Sequence, residues 1–491
     1  MAVALILIPL LAAAIAAAIP SNRLRPWLLP PVAALHLAIT LAALMHREYF
    51  PFIPVPLTRW LALDPPGRIV LLLLSTLFLI CSVYSVGYLR MRSELPNRFF
   101  CVGMFGFLAA TSLVVCARHL GLMWVAIEAT TLATAPLVYF NHTTRSIEAT
   151  WKYLLIGSVG IALALLGTFF LAYAGMQRGG EQSLLLDDLL RDAGSLSKPW
   201  LHAAFVLLLV GYGTKMGLAP MHTWKPDAYG EAPGVVGALL AGGVTNCAFL
   251  ALLRVDHICR AAGESWYTSR LLIFMGVLSM VVAAVFMMGQ RDFKRMLAYS
   301  SVEHMGILVL GLGVGGGALF GMMLHIITNG VTKGVLFLSA GNIHRAFGSK
   351  NVDEVHGAMR RLPLSGTLFL FGFLAITGSP PFAPFVSEFR ILTGIFAAGR
   401  YLLAAAFLLL LLVIFIGMGR TVLAVVLGRA RSAGQTKGAT GNVMRSDRLA
   451  LLLTRLPILV CFAGILLLGI YIPRPLAGML HNAASYLEVR P

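Results

Sequence analysis

Of 491 residues, 58% are hydrophobic and only 12% are charged, against roughly a quarter charged in a soluble domain. That balance excludes a soluble enzyme and points to a polytopic membrane protein. Lys and Arg outnumber Asp and Glu 38 to 20, but they are dispersed through short loops with no aromatic-interleaved basic patch. Such a distribution argues against a nucleic-acid partner and for loop charges that set topology in a lipid bilayer.

Met1–Pro20 has the apolar core of a signal peptide but no basic n-region, and Arg23 and Arg25 follow it. It reads as an uncleaved first span with its N-terminus outside. Runs of about 20 apolar residues, the length that crosses a bilayer, fall near 3–19, 27–45, 69–87, 99–117, 120–140, 151–174 and 201–219. They continue near 234–253, 271–289, 297–313, 317–341, 365–396, 402–427 and 453–472. The expectation is an all-α membrane protein of about 14 transmembrane helices. Both termini then lie on one side, and the Lys/Arg excess of the opposite loops makes that side the outside. Between spans, the LLLDDLL stretch of the 175–199 loop predicts a short interfacial helix. The Gly/Ser/Arg-rich 428–448 segment reads as a mobile inside linker.

Two spans are broken. GYGTKMGLAPMHTWKPDAYGEAPG, Gly211–Gly234, interrupts the seventh at Pro220, His222 and Pro226; GSPPF, Gly378–Phe382, interrupts the twelfth. Paired broken helices in corresponding positions mark an inverted-repeat transporter with its site near the midplane. Five spans is an odd number, so the repeats must be inverted. The organisation expected is 1–98 for three N-terminal helices, 99–254 for a first half (helices 4–8), 270–427 for a second, inverted half (helices 9–13) and 453–491 for the C-terminal helix.

Charges inside apolar runs are costly and read as functional. Glu128 lies about eight residues into its span, roughly 12 Å deep, too short a side chain to reach either surface. Lys215 enters the first break. A carboxylate near a buried amine favours its charged form, and withdrawing that influence releases a proton. His325, Asn329 and Lys333, at i, i+4 and i+8, stack on one helix face as a proton wire. Glu388 follows the second break. Glu303, His304, His222 and Asn246 are possible further members. Asp227, Glu231 and Lys225 read as inside-loop residues. Gly311–Gly316 fits GxGxxG but has no strand–helix context and reads as an outside turn. The cysteines (Cys81, Cys101, Cys116, Cys247, Cys259, Cys461) include no CxxC pair, so no metal, iron–sulfur or disulfide framework is expected on this chain.

The motifs KMGLAPMHTWKPDA, DFKRMLAYSSVEHMG, HIITNGVTKGVLFLSAGNIHR and GSPPFAPFVSEF, with Glu128 and Lys215 ahead of them, resemble the proton-antiporter family shared by complex I, membrane-bound hydrogenases and Mrp antiporters. The resemblance covers roughly residues 100–400. It implies that Glu128 and Lys215 form the coupling pair of a first half-channel, that His325 and Lys333 belong to a central relay, and that Glu388 is the terminal proton-accepting residue. It also implies a non-redox, proton-translocating subunit of the bacterial inner membrane with periplasmic termini. The details look most like the F-type subunit of hydrogenase-4-like complexes. Its partners would be other antiporter-like subunits, a membrane anchor and a peripheral hydrogenase/iron–sulfur arm holding a nickel–iron centre and iron–sulfur clusters. Two departures stand out: the eighth span has no lysine or histidine where relatives carry one, only Thr245 and Asn246, and Asn329 stands where many carry a second histidine. Rival readings are a complex I subunit, a stand-alone sodium/proton antiporter, the membrane subunit of an inorganic-carbon uptake system, and a structural spacer.

Overall fold

The computed structural model describes residues 1–45, 59–176, 183–428 and 447–488; most of the 428–448 linker lies outside the described residues. The chain is helical throughout its described part. Only single bridges, Leu61 with Ala117, His119 with Leu185 and Asp292 with Asn351, pair extended backbone. The first half of the chain forms α1 (Ala2–Ala18), α2 (Leu29–Met45), α3 (Pro65–Arg90), α4 (Arg98–Cys116), α5 (Leu120–Val138), α6 (Thr144–Met176), α7a (Lys198–Met216), α7b (Trp224–Glu231) and α8 (Gly234–Ala261). The second forms α9 (Ser265–Met287), α10 (Phe293–Val314), α11 (Ala318–Phe347), α12a (Pro363–Ile376), α12b (Ala383–Ala397), α13 (Tyr401–Leu427), α14 (Arg448–Ile470) and α15 (Arg474–Leu487).

Eleven helices are by themselves long and apolar enough to cross a membrane. The shorter α1 and the two broken helices, α7 and α12, bring the described spans to the fourteen expected. The LLLDDLL stretch forms the short helix Leu186–Arg191. The 311–316 glycine run is mostly the last turn of α10, and the turn itself is confined to Gly315–Gly317.

Burial sorts the helices by their surroundings. The apolar window of α8 is 100% buried and that of α11 is 94% buried, whereas α2 and α14 bury under a third of theirs. The outer helices therefore present Leu, Val and Phe to lipid, and the central ones carry polar groups sheltered from it. Neighbouring helices approach closely where side chains are small: a Cβ on Gly211 of α7a would meet the Gly160 carbonyl and Ala164 of α6, the small-residue packing that membrane helices favour where no hydrophobic force draws them together.

Both breaks start with a glycine at positive φ, Gly217 (φ 73) and Gly378 (φ 69), a conformation L side chains rarely adopt. A break in lipid frees backbone groups that must find partners within the protein. At the first, the Trp224 indole donates to the Thr214 carbonyl at 2.8 Å, and the Ala219 N–H donates to Ser279 Oγ of α9 at 3.0 Å. At the second, the Ser379 N–H donates to the Leu374 carbonyl at 3.0 Å. At each break, backbone groups freed from the helix thus find partners within the protein.

Beside the bundle core lies a structural charge cluster. Arg254 of α8 makes a bidentate pair with Asp64, at 2.8 and 3.0 Å. The same guanidinium donates to the carbonyls of Val114, Val115 and Ala117 at 2.7–3.1 Å. Those carbonyls end α4 and have no intrahelical partner, and Asp64 in turn caps α3 through the Gly67 N–H at 2.9 Å. One arginine thereby closes two helix ends.

Candidate functional proton path

One set of buried polar side chains is drawn from α5, the first break, α10, α11 and α12b. At its start, Glu128 is half-buried. Its carboxylate accepts from Ser158 Oγ of α6 at 3.0 Å and from Thr131 Oγ1, one turn along its own helix, at 3.1 Å. Lys215 is fully buried at the end of α7a. Its ammonium donates to the same Thr131 hydroxyl and to Tyr153 OH at 3.3 Å, and lies 5.0 Å from the Tyr153 ring centroid. Glu128 and Lys215 are therefore joined through one hydroxyl.

Past the break the path holds a residue that sequence reasoning placed in an inside loop. Lys225, in the first turn of α7b, is 0% exposed, and its ammonium donates to Ser301 Oγ at 3.1 Å and to the Ser301 carbonyl at 3.3 Å. The neighbouring hydroxyl, Ser300 Oγ, accepts from Lys333 of α11 at 2.7 Å. Adjacent serines of α10 thus hold two buried amines from two different helices. A loop reading was natural because Pro226 and Asp227 follow at once; the signal that could have found Lys225 is its position just inside a helix start bounded by aromatic residues. Asp227 and Glu231 do reach the surface of this helix, where Lys152, Arg295 and Lys350 pair with them.

The path ends in a histidine pair. His304 Nδ1 and His325 Nε2 lie 3.0 Å apart, and His325 Nδ1 lies 2.9 Å from Ser387 Oγ. The Ser387 hydroxyl has one proton, and the Pro384 carbonyl stands 2.9 Å away to accept it. Thr328 Oγ1 lies 3.0 Å from the same Ser387 Oγ; when the serine proton goes to Pro384, Ser387 Oγ accepts from His325 Nδ1–H, and His325 Nε2 is left to accept from His304 Nδ1–H. Glu303 Oε2 lies 3.8 Å from His304 Nε2, and Glu388 Oε1 lies 4.0 Å from His304 Nδ1. The arrangement is a directed hydrogen-bond chain flanked by carboxylates on both sides. Glu388 turns toward these histidines, while Arg390, two residues further along α12b, lies over the Phe320 ring. At the second break, a Cβ on Gly378 would collide with the Glu388 carboxylate, so this glycine also makes room for it.

The remaining sequence candidates sit less centrally in the hydrogen bonding. Asn246 follows a π-helical turn, Leu240–Val244, in α8, and donates to the Gly242 carbonyl at 2.9 Å. Asn329 is fully buried on α11, and neither side-chain atom has a protein partner among the described residues. Glu303 Oε1, Glu388 Oε1 and Asn246 Oδ1 share that property. Buried polar atoms of this kind are normally served by water. His222 packs beside Phe286 and Tyr299; its carbonyl accepts from the Lys225 N–H at 2.9 Å, and among the described residues its side chain makes no hydrogen bond to the path.

A family model described as NADH:quinone oxidoreductase/Mrp antiporter, transmembrane, matches residues 117–414, an interval that contains every side chain of this path. Among curated relatives, the hydrogenase-4 component F homolog of Methylacidiphilum infernorum is 34% identical over 412 residues, 82% of this chain and 85% of that one. Subunit N of the NADH-quinone oxidoreductase of Desulforudis audaxviator is 30% identical over 446 residues, 90% and 87% of the two chains. Of solved structures, a chain of the archaeal membrane-bound sulfane sulfur reductase superposes with a TM-score of 0.83 at 20% identity, covering 99% of this chain and 97% of that one, a likeness of fold.

Proposed function

Because the chain belongs to the NADH:quinone oxidoreductase/Mrp antiporter transmembrane family, we propose that it is a proton-translocating, antiporter-like subunit of a redox-driven membrane complex. The observation that carries this reading is a set of hydrogen-bonded groups that can bear a proton, set inside the helix bundle: Glu128, Thr131 and Lys215, then Lys225 with Ser301, Ser300 with Lys333, and His304 with His325 beside Glu388. A shift in a neighbouring subunit moves Glu128, whose carboxylate is its most exposed member. Withdrawing it frees the Thr131 hydroxyl and removes the influence that keeps the Lys215 amine charged. The proton passes by water and hydroxyl groups to Lys225 and Lys333, and Glu388 exchanges it with one aqueous side.

The relatives favour a hydrogenase-type complex over a respiratory NADH dehydrogenase, on the higher identity to the hydrogenase-4 component F homolog. In that setting the chain lies in a bacterial inner membrane with periplasmic termini. Other antiporter-like subunits, a membrane anchor and a peripheral arm carrying nickel–iron and iron–sulfur centres surround it. Gentle solubilisation of the tagged chain followed by identification of what copurifies tests this assignment. Nickel–iron and iron–sulfur subunits are expected. NADH-oxidising subunits would move the chain to a complex I, and recovery of an ion-transporting chain without partners would overturn the redox-driven reading.

A further inference from the structure

We infer that His304, His325 and Glu388 form a binding site for a divalent transition-metal ion of zinc type, seated where the two imidazoles share a proton. One donor atom from each residue lies within 4.8 Å of the other two, and all three residues are at most 4% exposed. Around a tetrahedral zinc ion with bonds of about 2.0–2.1 Å, donor atoms stand roughly 3.4 Å apart. The distances here, 3.0 Å from His304 Nδ1 to His325 Nε2 and 4.0 Å from His304 Nδ1 to Glu388 Oε1, bracket that value. A two-histidine, one-glutamate set leaves a fourth position for water. Two imidazoles also select against sodium, calcium and magnesium, which require more oxygen ligands.

The surroundings favour the same arrangement. Metal-bound histidines ordinarily donate their second N–H to an acceptor that fixes the ring. His325 Nδ1 already lies 2.9 Å from Ser387 Oγ, which can accept its proton. When His304 binds through Nδ1, its proton moves to Nε2, with the Glu303 carboxylate 3.8 Å away, beyond direct hydrogen-bond length but near enough to attract it electrostatically. Glu388 Oε1 has no hydrogen-bond partner among the described residues and can coordinate once its carboxyl group is ionised. Binding therefore removes no imidazole proton overall, and it replaces the His304–His325 hydrogen bond with two metal–nitrogen bonds.

An ion held there stops proton transfer between the two rings. Binding itself stands independently of the proton-path reading, whereas the block of transport rests on it. The test is to titrate the full chain, purified without a histidine tag and held in nanodiscs, with zinc sulfate, and to record zinc K-edge X-ray absorption. One zinc per chain is expected, with two imidazole nitrogens and carboxylate oxygen at about 2.0–2.2 Å. His304→Gln is expected to abolish it, Ser387→Ala to weaken it by about 10–100-fold, and His481→Gln, on the exposed face of α15, to leave it unchanged. Ser387→Ala removes one oxygen atom and serves if the histidine variant fails to fold. Absence of saturable zinc, or binding indifferent to both His304→Gln and Ser387→Ala, would overturn the site. In the reconstituted complex, zinc is expected to halt proton transport and a chelator to restore it; full transport with zinc bound would leave the site standing and overturn the path through these histidines.

Discussion

In the intact complex, Lys225→Met in this chain is expected to lower proton translocation through it by roughly 10²-fold or more, the usual cost of removing a proton-transfer group, while electron transfer continues. Lys225 is 0% exposed and is the amine that lies between the Lys215 and Lys333 regions, held by Ser301 as Lys333 is held by Ser300. Methionine keeps the length of the side chain and removes only the ammonium. The folded state then loses a hydrogen bond whose acceptor, the Ser301 carbonyl, also serves helix α10, at a cost of about 1–3 kcal/mol. The departure in α8, which has no lysine or histidine at its centre, makes this residue more important. Asn246 donates to its own helix at 2.9 Å and has no proton to give at neutral pH. The check is proton uptake into proteoliposomes containing the assembled complex, recorded beside redox turnover. Uptake at the wild-type rate would remove Lys225 from the path.

The second large effect concerns stability. Replacing Arg254 by methionine is expected to destabilise the chain by about 3–5 kcal/mol, because it takes the bidentate partner from a buried carboxylate, leaving only the Arg118 contact at 3.1 Å, and strands the last carbonyls of α4. Burial alone would raise the Asp64 carboxyl group, which lies just outside α3, but Arg254 and Arg118 outweigh it and hold the group below the usual carboxylate range. A carboxylate depressed in the folded state contributes fully above its unfolded value, near pH 4, and the contribution is lost as pH falls through the lower folded value. The wild-type protein should therefore keep this contribution throughout the neutral range and lose it only in acid. Adding Asp64→Asn to Arg254→Met keeps the cap on Gly67 and removes the buried negative charge that lost its bidentate partner. The double variant is expected to recover about 1–3 kcal/mol relative to additive losses. Thermal unfolding in detergent checks both; equal midpoints for wild type and Arg254→Met would show that the cluster is dispensable.

Much of this architecture is legible in the chain itself, for physical reasons. Spans announce themselves by length and apolarity. The breaks in α7 and α12 are visible because proline and glycine inside an apolar run have few other uses. Glu128, Lys215, His325 and Lys333 stand out because lipid makes a stray charge costly. What composition conceals is the hydroxyl groups that connect them. Thr131, Tyr153, Ser300, Ser301 and Ser387 look like any helical Ser, Thr or Tyr, since such residues also bond their own backbone. Only the packing of α5 on α6 and of α10 on α11 shows which ones turn outward to an amine or an imidazole. Lys225 was hidden by its polar neighbours, and the His304–His325 contact depends on the register of α10 against α11, which no single-helix pattern encodes.

The most direct test of the central claim is the number of protons moved per electron by the whole complex in sealed proteoliposomes, compared between wild type and Lys215→Met. Lys215 is fully buried and linked to Glu128 through Thr131, so the variant removes the amine to which the proposal assigns the coupling signal and touches no redox centre. A proton path in this chain predicts a lower ratio with electron transfer intact. An unchanged ratio would mean that the buried charges are structural and that protons cross elsewhere.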